Sequence, residues 1–126
     1  LNNASGAGEI ITGSFVNVYA ITRYIKSKNP DILSLVCTGT DNETIMDEDA
    51  LCAEYIKNDL LGIPNDFASI VKHLKDGGYI DRFLDPAIPK YPIQDIDYCL
   101  ALNKFNFVLH ASPYKDSLNQ LTRIDL

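Results

Sequence analysis

The sequence predicts an α/β protein with three layers, α/β/α, built around a parallel or mixed sheet. The first observation behind this prediction is an apolar run, Ile32–Cys37, which is bounded by turn-forming residues and is typical of a buried strand. The second is the order of the preceding elements, since a short apolar strand and then a helical pattern come before that run with short connections. Such a βαβ unit is right-handed and makes a parallel pair of strands. Because only a strand covered on both faces tolerates so few polar side chains, we expect Ile32–Cys37 to be a central parallel strand.

The elements before this run follow from turn residues and from hydrophobic periodicity. Glu9–Thr12 is a short apolar stretch that ends at Gly13, which predicts a first strand. Val18, Ile21 and Ile25 then recur at spacings of three and four, which is the pattern of one helix face. Two lysines near the end of this helix interact favourably with the helix dipole, and an Asn-Pro pair ends the helix.

The rest of the chain predicts three further helices and one or two strands. Acidic residues open the second helix, Asn65 or Asp66 caps the third, and a proline suits the first turn of the fourth. A later segment is rich in residues that favour strands. The predicted elements are a helix over Asp47–Leu60, a helix with Phe67, Ile70, Val71 and Leu74 on its buried stripe, a helix from Pro92 with Ile93, Ile96 and Leu100 inward, a strand at Phe105–His110, and a final strand or extended tail at Leu121–Ile124.

Composition limits the class of protein. The chain has 126 residues, of which 46% are hydrophobic and 22% charged, which predicts one globular domain over residues 1–126. Its 11 basic and 17 acidic residues give a net charge of -6 without a basic cluster, so nucleic acid is a poor partner. No apolar run approaches the roughly 20 residues of a membrane helix, and no signal peptide is visible. The odd number of cysteines, 3 in all, lacks zinc spacing and favours a reducing cytoplasm.

Polar residues concentrate directly after the apolar run. The turn Thr38–Thr40 comes first, and the acidic triplet Asp47–Asp49 opens the next helix. In open α/β sheets, ligands bind beyond the carboxyl ends of the strands, where this loop is expected. First-turn acids are favoured by the helix dipole, but three in a row repel one another more than that role needs. A divalent cation would relieve the repulsion, because Mg²⁺ prefers one or two carboxylates together with water and phosphate oxygens.

Three isolated residues are candidates for both structural and functional roles. Ser14, at the start of the first helix, could contact a phosphate through the helix N-terminus, although a capping role is favoured. His73 lies off the apolar stripe of its helix and is expected to be solvated. His110 ends a predicted strand, where both a hydrogen-bonded structural role and a functional role are open.

Other phosphate chemistries do not match the sequence. A cysteine phosphatase loop at Cys37 would need a basic residue, whereas acidic residues follow in Asp41–Glu43. The pair in Asp95–Asp97 resembles an aspartyl-phosphate motif but lies on a predicted amphipathic helix rather than at a strand end. The phosphate-loop and dinucleotide fingerprints are missing.

Three stretches together resemble the 2-phosphosulfolactate phosphatase family. They are Gly13–Asn17 (GSFVN), Val36–Thr40 (VCTGT) and Glu48–Ala53 (EDALCA), and their order and spacing match. Asp95–Leu102 (DIDYCLAL) is similar to a late helix of that family. The resemblance spans nearly the whole chain but only the C-terminal half of the family, so we expect residues 1–126 to be the C-terminal part of a longer phosphatase-like protein.

The resemblance implies a layered α/β fold and a phosphoric monoester hydrolase. The reaction would be the Mg²⁺-dependent hydrolysis of 2-phospho-3-sulfolactate to 3-sulfolactate and phosphate, a step toward coenzyme M. Glu48 and Asp49 would hold the metal and carry catalysis. The residues expected to meet the small phosphorylated acid or line its pocket are Ser14, Asn17, Thr38, Gly39 and Thr40.

Two departures from the family pattern concern the site. Glu54 stands where the family usually has a small glycine, and Asp41–Thr44 lacks the glycine followed by Arg or Glu. Since no Arg or Lys lies near the site stretch, the chain alone is expected to have little activity. The missing N-terminal half or a homo-oligomer would complete it. The alternative is a non-catalytic α/β domain that binds an acidic metabolite or a protein partner.

Overall fold

The computed structural model describes residues 6–39, 46–77, 81, 92–115 and 118–126. Its helices and strands are numbered in chain order, and a short 3₁₀ turn at Phe15–Asn17 leads directly into the first helix. The elements are β1 (Ile10–Thr12), α1 (Val18–Lys28), α2 (Asp47–Leu61), α3 (Phe67–Asp76), α4 (Gln94–Cys99), β2 (Phe107–Pro113) and β3 (Asn119–Asp125). Within the described ranges, no helix is long and apolar enough to cross a membrane.

The sheet is antiparallel throughout, with the strand order β1-β2-β3. Ile11 pairs with His110, and Val108 pairs with Ile124. The central strand is therefore β2, near the end of the chain, and β1 pairs across almost the whole sequence rather than with the next apolar run. The expectation of a three-layer α/β/α fold with a parallel or mixed sheet is wrong.

The run Ile32–Cys37 is not a strand in this structure. It lies outside the helices and strands, and the side chains of Ile32 and Val36 are 86% and 81% exposed. The prediction of a central parallel strand here is therefore also wrong. The physical reason is that apolar character measures how much a segment gains from burial, whereas a strand also needs a neighbouring backbone with which to pair. In the described part of the chain, β1 takes β2 as its neighbour instead.

Most of the other predicted elements are confirmed. The first strand, the first three helices and the two late strands lie where the periodicity and turn residues indicated, with ends shifted by a few residues. Asp66 caps α3, where its side chain accepts a hydrogen bond from the backbone N–H of Ser69 at 3.1 Å. The fourth helix is shorter than expected, since it covers only Gln94–Cys99.

The core lies between α1, α2 and the sheet. α1 is the most buried helix, and its Ile21 is 2% exposed while Val108 of the central strand is fully covered. The rings of Phe15, Tyr55 and Phe67 meet edge to face, with centroids 5.2 to 6.0 Å apart, and join the 3₁₀ turn to α2 and α3. Burial of each large apolar side chain contributes about 1.5–3 kcal/mol, so this cluster holds the site elements in place.

Candidate functional site

The acidic triplet forms the first turn of α2. Asp47, Glu48 and Asp49 are its first three residues, and the side chain of the preceding Met46 provides no cap. Negative charge is favoured at this end of a helix because its backbone N–H groups are unpaired. Asp47 is exposed, whereas Glu48 and Asp49 are partly buried. The triplet is therefore divided, with two carboxylates directed inward and one toward solvent.

Asp49 holds the end of the apolar run against the helix. One oxygen of its carboxylate, Oδ2, accepts hydrogen bonds from the backbone N–H of Gly39 at 2.8 Å and from the hydroxyl of Thr38 at 3.3 Å. Gly39 has a φ of 59°, in the left-handed region where a residue with a Cβ is strained. The structure thus joins two of the sequence stretches that were expected to form the site.

Ser14 and Asn17 form a local pair in the 3₁₀ turn. The side-chain oxygen of Asn17 accepts hydrogen bonds from the backbone N–H of Ser14 at 3.2 Å and from its hydroxyl at 3.3 Å. The side-chain amide of Asn17 donates to the backbone carbonyl of Phe107 at 3.1 Å. Asn17 is 5% exposed. Its contacts therefore fasten the turn to β2, and they place the exposed Ser14 at the surface beside α2.

These elements border a cavity of about 360 Å³. Its wall combines the start of the 3₁₀ turn, the first turns of α2 and the end of α4. The lining residues are Gly13, Ser14, Phe15, Val16, Glu48, Asp49, Cys52, Tyr98, Cys99, Leu100 and Phe105. Among the residues that the structure describes, the polar groups of this lining come mainly from Ser14 and the two carboxylates.

The predicted site residues divide into three groups. Ser14, Glu48 and Asp49 line the cavity together. Thr38 and Gly39 contact Asp49 but are not part of the lining, and Asn17 is buried behind it. The predicted Thr40 lies outside the described residues. The roles assigned to all of these residues stay predictions.

Sequence reasoning missed the contribution of the chain after α4. Phe105 donates its backbone N–H to the carbonyl of Val16 at 2.8 Å, and Asn103 donates to that of Phe15 at 3.0 Å. These bonds place Tyr98 and Phe105 at the cavity and bring the Lys104 ammonium to 4.6 Å from the centroid of the Tyr98 ring. Lys104 is distant in sequence from the acidic triplet, and no local motif marks it.

Cys52, one of two cysteines in the cavity wall, is not a nucleophile at neutral pH. Burial raises the pKa of the Cys52 thiol to about 12, and the charges of Asp49 and then Cys37 add to this shift. A thiol with such a pKa remains protonated, and the thiolate is the reactive form. Cys37, Cys52 and Cys99 are all free thiols.

These residues supply only some of the ligands that a divalent cation needs. Within the described ranges, no group of three or more His, Cys, Asp or Glu side chains is positioned to hold a metal ion. Glu48 and Asp49 nevertheless border the same cavity. Because Mg²⁺ commonly takes one or two carboxylates and completes its shell with water and phosphate oxygens, this pair fits such an ion as a partial site.

The two histidines lie away from this cavity. The ring nitrogen Nε2 of His73 is 3.7 Å from Oδ2 of Asp47 on the exposed side of the helices, and the expectation that His73 is solvated is confirmed. Nε2 of His110 is 3.7 Å from Oε1 of Glu9. The Tyr24 hydroxyl also donates to Glu9, and this hydrogen bond, followed by burial, raises the pKa of Tyr24.

The fold and cavity define a small mixed α/β domain with an acidic, partly apolar pocket. The family model described as 2-phosphosulpholactate phosphatase matches residues 1–87, and the chain belongs to this family. A curated relative from Caldanaerobacter subterraneus subsp. tengcongensis, named a probable 2-phosphosulfolactate phosphatase, is 30% identical over 122 residues. That match covers 86% of this chain and 49% of the relative, so the chain spans about half the relative's length. No solved structure matches the chain.

The residues that the family model matches can be compared with the stretches that carried the resemblance in the sequence. The stretches Gly13–Asn17, Val36–Thr40 and Glu48–Ala53 all lie inside residues 1–87, whereas Asp95–Leu102 lies beyond them. The three motifs that carried the resemblance are therefore within the family match. The cavity wall formed by Tyr98 and Phe105 comes from the part of the chain after it.

Proposed function

We propose that this chain is the C-terminal part of a Mg²⁺-dependent phosphatase that hydrolyses 2-phospho-3-sulfolactate to 3-sulfolactate and phosphate, a step toward coenzyme M. The observation that carries the proposal is the meeting of Ser14, Glu48 and Asp49 at one cavity in a member of this family. These residues come from separate stretches of the sequence that the family pattern shares. The proposed setting is the cytoplasm.

Glu48 and Asp49 are the proposed metal-binding and catalytic residues. Oδ2 of Asp49 accepts hydrogen bonds from Gly39 and Thr38, which fix the orientation of the carboxylate, and the other oxygen is the proposed ligand of the ion. Mg²⁺ at this pair would supply positive charge to the oxygens of a bound phosphate. Ser14 and the turn Thr38–Thr40 are proposed to contact the substrate or border its pocket.

The substrate carries several negative charges, so a positive group near the cavity matters. Within the described lining there is no Lys or Arg, and the Lys104 ammonium over the Tyr98 ring is a nearby cation. Phosphoryl transfer needs positive groups around the equatorial oxygens as well as a positioned nucleophile. We therefore assign the rest of this charge to the half of the family's length that the chain does not span, or to a second copy.

The first test is activity of the purified chain. With 2-phospho-3-sulfolactate and Mg²⁺, we expect phosphate release far below enzymatic rates, because the described lining carries no Lys or Arg to stabilise the transition state. A full-length family member assayed in parallel is the positive control. Turnover by this chain at typical enzymatic rates, lost with EDTA, would contradict the expectation and place the whole site in these residues.

The second test is Mg²⁺ binding by the carboxylate pair. The variant Glu48→Gln/Asp49→Asn should weaken Mg²⁺ binding in a calorimetric titration while the protein stays folded, since these side chains bury little apolar surface. Asp47→Asn is the matched control, because it removes a carboxylate from the same helix turn but outside the cavity. Unchanged Mg²⁺ affinity in the double variant, with stability lower by about 0.3–1 kcal/mol per site, would make the triplet only a helix start.

The alternative function is a non-catalytic domain that binds an acidic metabolite or a protein partner. The lack of a Lys or Arg in the described lining favours a non-catalytic role for the chain alone, and because the two carboxylates repel an anion, it favours the protein partner over the acidic metabolite. Binding of 3-sulfolactate without Mg²⁺, with the double variant binding at least as tightly as the wild type, would support the acidic-metabolite form of this alternative.

A further inference from the structure

The residues Ile32–Val36, named the apolar segment, form an unusual exposed surface. They lie between α1 and the Thr38–Gly39 contact with Asp49. All five residues are exposed, and the apolar members are Ile32, Leu33, Leu35 and Val36. A contiguous exposed apolar patch on a folded protein commonly marks a surface that binds another chain segment, a ligand or a membrane.

The backbone of the apolar segment is the second feature. Among the residues that the structure describes, no backbone–backbone hydrogen bond joins Ile32–Val36 to another residue. Backbone N–H and C=O groups that become buried are almost always paired, so a segment that covers these apolar side chains must also pair with this backbone. Exposed apolar side chains and an unpaired backbone are together typical of a strand edge that binds an extended segment. Such binding pairs the backbone groups and covers alternate side chains.

The length of the relative indicates what the occupant is. The match covers 49% of the Caldanaerobacter protein, so roughly as much chain again exists in that relative as in this match. A second copy of this chain is a weaker candidate, because each copy carries a net charge of -6 and the copies repel one another. The half of the family's length that this chain does not span is therefore the better candidate for the partner.

We propose that the apolar segment Ile32–Val36 is the docking surface for an extended segment from the half of the family's length that this chain does not span. This inference rests on the proposed C-terminal position of the chain in a longer protein. Because the segment continues into Thr38 and Gly39, which bind Asp49, a docked segment lies next to the cavity. Docking thereby brings groups from the other half to the carboxylates.

The test uses the unmatched half of the Caldanaerobacter relative as a separate polypeptide. In sedimentation equilibrium we expect a one-to-one complex with this chain, and in hydrogen exchange we expect slower exchange of the amides of Ile32–Val36. The variant Ile32→Lys/Val36→Lys should abolish both effects. Leu61→Lys/Ile63→Lys is the matched control, since it places two lysines at exposed apolar positions elsewhere and should keep the complex.

Three results would overturn the proposal. One is the absence of a complex with a Kd tighter than about 1 mM. Another is a complex that the two double variants weaken equally, which would indicate non-specific contact. The third is a dimer of this chain alone that Ile32→Lys/Val36→Lys dissociates, which would make a second copy the occupant. Mg²⁺ titration of the same samples is a separate readout, so failure of docking is distinguishable from failure of the proposed metal site.

Discussion

Two apolar runs of similar character have opposite surroundings in this molecule. The residues of β2, Phe107–Pro113, form the central strand, with β1 on one side and β3 on the other. The apolar segment Ile32–Val36 belongs to the run Ile32–Cys37 that was predicted as the central strand, and it instead lies exposed and without backbone partners in the described part of the chain. Val108 is fully covered, while Ile32 and Val36 lie mostly in solvent.

The comparison separates the tendency of a segment to be buried from the presence of a neighbour that buries it. Both runs are rich in residues that favour strands. Of the two runs, only β2 has strands on both sides, and α1 packs against it, with Val18 and Ile21 in the same buried cluster as Val108. In the described part of the chain, the apolar segment has no such neighbouring strand, although its sequence favours one.

The largest expected effect contrasts two isoleucines, one from each environment. Ile21→Ala should lower the free energy of unfolding by about 2–5 kcal/mol, because it leaves a cavity in the core. Ile32→Ala should change it by about 0.5 kcal/mol or less, since that side chain is already in water. Urea denaturation of the two variants measures both values.

If Ile21→Ala does not fold, Ile21→Val serves in its place, with an expected loss of about 0.5–1.5 kcal/mol. Equal losses at the two positions would mean that Ile32 is buried in solution. The contrast between the two environments would then be wrong.

A smaller effect is expected where the apolar segment is fastened to α2. Asp49→Ala removes the acceptor for Gly39 and Thr38, and we expect a loss of about 1 kcal/mol in unfolding free energy beyond that of a control. Asp47→Ala is that control, because it removes a first-turn carboxylate that makes neither bond. Denaturant titration gives the difference, and faster exchange of the Gly39 amide in Asp49→Ala would locate it. Identical values for the two variants would argue against the contact.

The smallest effect concerns the local cap of α3, which needs no distant partner. Hydrogen bonds from the Ser69 hydroxyl and then from its backbone N–H lower the pKa of Asp66 below its usual 3.8. Because the folded protein prefers the charged form, Asp66 contributes stability above pH 3.8 that is lost as the pH falls through the lowered pKa.

Asp66→Ala should therefore be less stable than the wild type at neutral pH, and this difference should shrink in acid. Thermal unfolding at neutral pH and at a pH below 3.8 measures the change. Asp66→Asn keeps an acceptor oxygen without the charge, so it should lack the acid-dependent part. A difference that grows in acid would contradict the assigned cap.

Much of the local structure was predictable because its causes are local. The spacing of Val18, Ile21 and Ile25 defined α1, and Asp66 marked the start of α3. The acids of the triplet were correctly placed in the first turn of α2. Such features depend on periodicity and capping within a few residues, so one sequence is enough to find them.

The candidate site was only partly predictable for the same reason. Glu48, Asp49 and Ser14 were found from short motifs, and the structure brings them to one cavity. Tyr98 and Phe105 were missed as lining residues, because backbone bonds from residues 103 and 105 to the 3₁₀ turn place this part of the chain at the cavity. No spacing rule relates them to the acidic triplet.

By itself, the sequence determined the family, the helices and which runs gain from burial. Only the tertiary structure decided how the strands pair, with β1 beside β2 and Ile10 opposite Ala111. Strand pairing is a choice among distant backbones that offer the same N–H and C=O groups, so side-chain patterns constrain it weakly. For that reason the sequence shows that an apolar run such as Ile32–Val36 gains free energy from burial. Which chain segment buries it depends on the tertiary structure around it.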